Sequence, residues 1–215
     1  MTVNFQDLAG RLVRPRMGRR LAVLTASLIT IGICVAVFKT VGFGTDPCST
    51  FTLGVSAHTG MSFGTCQLIF NLLMFLPVIR FDLSRIGVGT VANMAGIGYV
   101  ADFSIWLIQM WTPSGGFSLT ARVLMFVVSM AAFLIAAAFY MVVDLGVAPY
   151  DAIPQLIAAR TSRLSARAVR VAWDFSVLSA GFLLGATVGL TTLITGFCLG
   201  PAITSVSTRV KSWFE

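Results

Sequence analysis

Apolar positions run along this chain in long blocks separated by short polar breaks. Six blocks are long enough to cross a bilayer as helices, at roughly 20–42, 62–80, 87–110, 119–143, 169–187 and 189–209. Between them lie two shorter helical stretches of about a dozen residues, opening at Pro47 and Pro149. Twelve helical residues rise only about 18 Å against roughly 30 Å of hydrocarbon. Neither short stretch can span, so each dips in and turns back, lies flat or stays outside.

The breaks before these two stretches are alike. Gly44-Thr45-Asp46-Pro47 follows the first block, and Gly146-Val147-Ala148-Pro149-Tyr150-Asp151 follows the fourth, 102 positions later. Thr59 matches Thr161; after one added residue Asn71 matches Asp174; Gly87, Thr90 and Gly98 match Gly189, Thr192 and Gly200. Each half is a span, a short stretch and two more spans. Three is odd, so the second half enters the membrane from the opposite side. The expected architecture is an all-α membrane protein in one transmembrane domain over 1–215, with six transmembrane helices as an inverted 3+3 repeat and two short broken or re-entrant helices. Repeat one covers about 20–110 and repeat two about 119–209. The competing explanation is that two membrane segments of similar composition share Gly and Thr by coincidence.

Charge adds a direction. Arg11, Arg14, Arg16, Arg19 and Arg20 precede the first span; Arg80 and Arg85 separate spans two and three; Arg160, Arg163, Arg167 and Arg170 separate four and five; Arg209 and Lys211 follow six. The connections at 43–61 and 111–118 hold neither Lys nor Arg, and only Lys39 and Arg122 fall on that side. By the positive-inside rule both termini, including a basic segment at 1–19, face the cytoplasm. The first apolar run is too long for a typical signal-peptide core and lacks a clear small-x-small site, so it reads as a retained anchor.

Composition agrees with a membrane and excludes several functions. Of 215 residues, 57% are hydrophobic and 11% charged, and mean hydropathy is +0.90. The net charge of +7 is concentrated where it orients the chain and meets anionic headgroups; no basic face interleaved with aromatics suggests nucleic acid. Cys34, Cys48, Cys66 and Cys198 have no C-x-x-C spacing, and His58 is the lone histidine, so no metal site or cofactor is expected and the cysteines read as buried thiols. A Cys48–Cys66 disulfide is the alternative. No H-E-x-x-H, Walker A or Ser-His-Asp set is present, and Glu215 is the sole glutamate; no enzyme activity or catalytic residue is expected.

Four motifs carry a family resemblance: Gly44-Thr45-Asp46-Pro47, Thr59-Gly60-Met61-Ser62-Phe63-Gly64-Thr65, Gly87-Val88-Gly89-Thr90 and Ala148-Pro149-Tyr150-Asp151. Over about residues 20–208 the chain resembles the YczE/YyaS/YitT group of bacterial membrane proteins, in its YczE-like branch. It departs from that pattern where Cys48-Ser49 replaces an aromatic and Asp, and where Ala148 replaces Gly. The resemblance implies placement in a bacterial inner membrane and carries no substrate with it.

An acid inside a bilayer costs about 2.5 to 3.5 kcal/mol on insertion scales and so needs a partner or a wet cavity. Asp46, Asp102, Asp144, Asp151 and Asp174 lie in or beside the apolar runs. Asp46 before Pro47 suits an N-cap with proline at the first helical position, and Asp151 falls in the first turn after Pro149, where the helix dipole favours an acid. Asp174, four residues after Arg170, can form an intrahelical pair, while its repeat mate Asn71 has no such neighbour. Lys39 can snorkel to water, with a pair to Asp102 as the alternative, and His58 sits at the interface. Gly196 and Gly200 form a G-x-x-x-G suited to close packing. The candidate solute or ion pathway is Asp46, Pro47, Asn71, Asp102, Pro149, Asp151 and Asp174.

Opposed half-structures with broken helices recur in transporters, which gives the expectation of a small-solute transporter, proton-coupled through Asp151 or Asp174, acting on a cation or neutral solute. The alternative is a non-transporting membrane protein that regulates or scaffolds a partner system. The bilayer, an unidentified small solute and a homo-oligomeric mate are the partners considered.

Overall fold

The computed structural model describes residues 16–161 and 164–196, with Ser205 and Arg209 beyond them. Their regular structure is helical, with no strand among them. In chain order the helices are α1 (Met17–Val41), α2 (Pro47–Thr59), α3 (Phe63–Phe81), α4 (Val88–Trp111), α5 (Leu119–Val142), α6 (Pro149–Arg160) and α7 (Ala166–Leu183), with a 3₁₀ turn at Leu83–Arg85. A further helix opens at 190 and is described to 196. The sixth expected span therefore lies largely outside the described residues.

Four helices, α1, α3, α4 and α5, are long and apolar enough to cross a membrane. Leu73, Leu76, Phe103, Val128 and Phe182 are among the many large apolar side chains exposed on their outer faces and on that of α7. So much outward apolar surface suits lipid, not water. The protein is a multi-pass membrane protein. Hydroxyls within its helices cost little, because Thr30, Thr40, Ser104 and Ser176 each donate to the carbonyl four residues back.

The fifth expected span, 169–187, differs. Helix α7 starts earlier, at Ala166 behind a Ser165 cap, and stops at Leu183. Gly185 takes a left-handed φ of 80°, and the Gly185 and Ala186 amides turn back to the carbonyls of Phe182 and Gly181, closing the helix as glycine C-caps do. It also carries Arg167, Arg170 and Asp174 along its 18 residues.

The core is built on α1. It packs against α4 and α5, and the Phe38 ring meets Phe126 and Phe133 at centroid distances of 6.2 and 5.6 Å. The short helices pack between the others, α2 against α3 and α7, and α6 likewise against α3 and α7. Gly54 and Gly181 allow α2 and α7 to approach closely, since a Cβ on Gly181 would lie 2.8 Å from the Phe51 backbone.

Several long-range contacts between loops and helix ends come in pairs. Arg20 Nη1 donates to Val143 O at 2.7 Å, and Arg122 Nε donates to Val41 O at 2.8 Å, so Arg20 of α1 caps the end of α5 and Arg122 of α5 caps the end of α1. The Gly89 amide donates to Leu145 O at 2.8 Å and the Thr191 amide to Phe43 O at 3.0 Å. Thr90 Oγ1 donates to Val147 O at 2.9 Å, and Thr192 Oγ1 to Thr45 O at 2.7 Å. In every pair both partners are shifted by the same 102 positions. Arg122, an exception to the charge rule in sequence, is thus explained as a C-cap that also stacks its guanidinium 5.1 Å over Phe43.

Outside the spans, Asp82 closes the turn after α3, accepting from Ser84 Oγ at 2.5 Å and Arg85 Nε at 2.8 Å, while Arg85 also bonds Gln155 of α6. Partial burial opposes its charge, but the Ser84 and Arg85 bonds outweigh it and hold the carboxyl below the usual carboxylate value. A lowered folded pKa means stabilisation present above the unfolded value of about 3.9 and lost as pH falls through the folded one. In melts followed across that acid window, the gap between wild type and Asp82→Asn should close.

Candidate functional site

Both short helices begin where the sequence places them. Pro47 and Pro149 each occupy the first turn, and the Asp46 carboxylate accepts from the Ser49 amide at 3.1 Å as an N-cap. At α6 the cap residue is Ala148, which offers no side chain, and Asp151 is the first-turn acid.

A cavity of about 520 Å³ lies against both helix starts, within the range of small-molecule sites. One wall is apolar, from Ile31 and Val35 of α1, Ile97 of α4, and Phe133, Ala137 and Met141 of α5. The other carries Asp46, Gln67, Asn71, Asp151, Arg170 and Asp174, and Asn93 and Thr195 also line it.

Arg170 organises the acids. Its Nη1 lies 2.6 Å from Asp151 Oδ1, across from α7 to α6, and its Nε lies 2.7 Å from Asp174 Oδ2 on its own helix. The expected i,i+4 pair is present, and a second carboxylate shares the same guanidinium. Tyr150 Oη donates to Asp174 Oδ1 at 2.5 Å, and the guanidinium sits 5.4 Å from the Tyr150 ring centre. One cation, a phenol and two acids thus tie α6 to α7.

The amides are placed as deliberately. Gln67 Oε1 accepts from Thr52 Oγ1 at 2.8 Å and its Nε2 approaches Cys48 Sγ at 3.6 Å. Asn71 Nδ2 donates to Gln67 O at 2.9 Å, while its Oδ1 is buried with no hydrogen-bond partner among the described residues.

Of the pathway candidates, Asp46, Pro47, Asn71, Asp151 and Asp174 line the cavity. Pro149 stands beside it between Ala148 and Tyr150, which do. Asp102 is elsewhere: from α4 it accepts the Gly64 amide at 2.8 Å and so serves the start of α3. Lys39 is exposed and makes no ion pair with it. Cys34, Cys48 and Cys66 are free and buried; Cys198 and Gly200 lie outside the described residues. Gly196 has no neighbour within 4 Å of a Cβ position among the described residues and lines the cavity. Among the described residues no cluster of His, Cys, Asp and Glu could hold a metal.

A family model described as a family of unknown function, DUF6198, matches residues 18–208, nearly the whole chain. The chain belongs to this family. An uncharacterised protein of Haemophilus influenzae is 25% identical over 185 residues, covering 86% of this chain and 82% of its own. No solved structure matches.

In this DUF6198 member, sequence reasoning missed Gln67, Asn93 and Arg170 as cavity residues. The signal for the amides was available, since both lie well inside apolar runs. Arg170 was assigned to Asp174 alone, because its contact with Asp151 crosses 19 positions and two helices.

Proposed function

We propose that the protein is a small-solute membrane transporter with six spans, arranged as an inverted 3+3 repeat with both termini in the cytoplasm. The observation that carries this reading is the make-up of the cavity. Its lining falls largely into residues 102 or 103 positions apart: Ile31 with Phe133, Val35 with Ala137, Asp46 with Ala148, Ser49 with Asp151, Asn71 with Asp174, and Asn93 with Thr195. A cavity on the axis between two opposed halves is what alternating access requires. The paired loop contacts support the same symmetry, and they fall in the YczE-like motifs around Gly44, Gly87 and Ala148, which gives those motifs a structural role. A scaffold has no need of a polar cavity at that axis.

Coupling to protons rests on the Arg170 cluster. Asp151 holds Arg170 to α6 by an ion pair while Asp174 holds it within α7, so neutralising Asp151 loosens the tie between a short helix and a long one and leaves only the Tyr150 contacts across it. Thermal stabilisation across a compound library supplies a ligand. Uptake of that ligand into proteoliposomes under an imposed pH gradient is expected to fall about tenfold or more in Asp151→Asn, which keeps shape and hydrogen-bonding capacity and leaves Arg170 paired. Unchanged pH-driven uptake in a folded variant removes Asp151 as the coupling acid, and no uptake of any bound ligand favours the scaffold.

A further inference from the structure

We infer that the solute is an amphiphilic amine whose ammonium group seats on Asp46 and donates to Asn71 Oδ1, with its apolar body against α1 and α5. The inference rests on the transporter reading for its setting, and on the cavity itself for its chemistry.

Three carboxylates line the cavity, and they are not equivalent. Asp151 and Asp174 already hold Arg170. Asp46 accepts the Ser49 amide and has no cation within ion-pair distance among the described residues. Arg167, the second cation at the lining, is exposed at its edge and pairs with none of the three. A buried carboxylate at a helix start that is held by Ser49 alone, through its amide and its side chain, and by no cation among the described residues is a site for a positive charge. The remaining ionisable groups of the lining are Cys48 and Tyr150 on the short helices and Tyr140 on α5; α1, α3 and α4 contribute none.

Asn71 is the independent observation. It is 1% exposed and its Oδ1 has no partner, whereas the large majority of buried polar atoms are bonded. Its orientation is fixed, because Nδ2 donates to the Gln67 carbonyl and a flipped amide would set two acceptors against each other. What is missing is therefore a donor. Asn93, 6% exposed and also in the lining, has no side-chain hydrogen bond to a described residue. An ammonium with several N–H groups satisfies a carboxylate and an amide oxygen together; a carboxylate or phosphate solute satisfies neither. The opposite wall, with Ile31, Val35, Phe133 and Ala137, takes an apolar body.

The test uses the full chain in nanodiscs with three probes of matched body: phenylbutylamine, phenylbutanol and phenylbutyrate. Saturable binding is read by calorimetry, with partition into the lipid common to all variants. Asp46→Asn is the chosen variant because asparagine caps a helix as well as aspartate does, so α2 keeps its start and loses only the charge. The amine should bind saturably, about tenfold or more weaker in Asp46→Asn and about threefold or more weaker in Asn71→Leu, with melting profiles close to wild type. Equal binding of the alcohol or the acid, no saturable binding of the amine, or amine binding indifferent to both substitutions would overturn the inference, the last two leaving water as the partner of Asn71. Amine binding without uptake into liposomes keeps the site and removes transport. Uptake of phenylbutyrate that Asp46→Asn does not slow keeps transport and overturns the amine.

Discussion

Replacing Arg170 by Met is expected to destabilise the protein by roughly 3 kcal/mol, the scale on which removing one partner of a buried ion pair acts. The side chains concerned are 31%, 21% and 13% exposed for Arg170, Asp151 and Asp174, so part of the charge is screened by the cavity and the figure belongs at the low end. The reason is that two acids lose their shared cation at once. Tyr150 retains one bond to Asp174, whereas Asp151 is left with none from a cation. Neutralising both acids in the same chain, as Arg170→Met with Asp151→Asn and Asp174→Asn, should recover most of the loss in melting temperature. Arg170→Lys should fall between, because a single ammonium cannot reproduce a fork that serves one carboxylate through Nη1 and another through Nε. Failure of the triple variant to recover would show that Arg170 acts through packing and not through charge.

The other large effect is steric. Gly146 has a φ of 115°, a region open to glycine and costly for any other residue. A Cβ there would also lie 2.5 Å from Thr90 Oγ1 and 2.7 Å from the Gly87 amide nitrogen. Gly146→Ala is therefore expected to cost about 3 kcal/mol or more, strain and overlap adding, and to lower the yield of folded protein. Gly60 provides the control: its φ is 71°, yet nothing lies within 4 Å of a Cβ position. Gly60→Ala should cost only about 1 kcal/mol. Equal losses from both would mean that the close approach of the two loops contributes little. Gly44, with a φ of 84° and the Gly189 amide 2.5 Å from its Cβ position, should behave as Gly146 does.

These residues also mark what was legible in the chain. The long helices, the proline starts at Pro47 and Pro149 and the Asp46 cap follow from local rules of length, φ restriction and capping, so the apolar blocks and their breaks reveal them. The i,i+4 pair of Arg170 with Asp174 is local in the same sense. The crossed contacts are not. Thr90 meets Val147 and Thr192 meets Thr45 across folds of the chain that no periodicity encodes, although the matched spacing of Gly87 and Gly189 pointed to those loops. Asp102 illustrates the reverse: an acid in an apolar run reads as functional, but its depth alone does not reveal that a neighbouring helix start supplies its partner. The end of α7 was missed because Leu184-Gly185-Ala186 stays apolar while the backbone turns, and hydropathy does not register a left-handed glycine.

Cys48 allows alternating access to be tested with a native probe. It is free, lines the cavity and sits on α2 beside Asp46. A protein keeping Cys48 as its single cysteine can be treated with a membrane-impermeant thiol reagent in right-side-out and in inside-out vesicles. The transporter account predicts labelling from both sides, each slowed by a solute that occupies the cavity. Labelling from one side alone, or from neither, would contradict it.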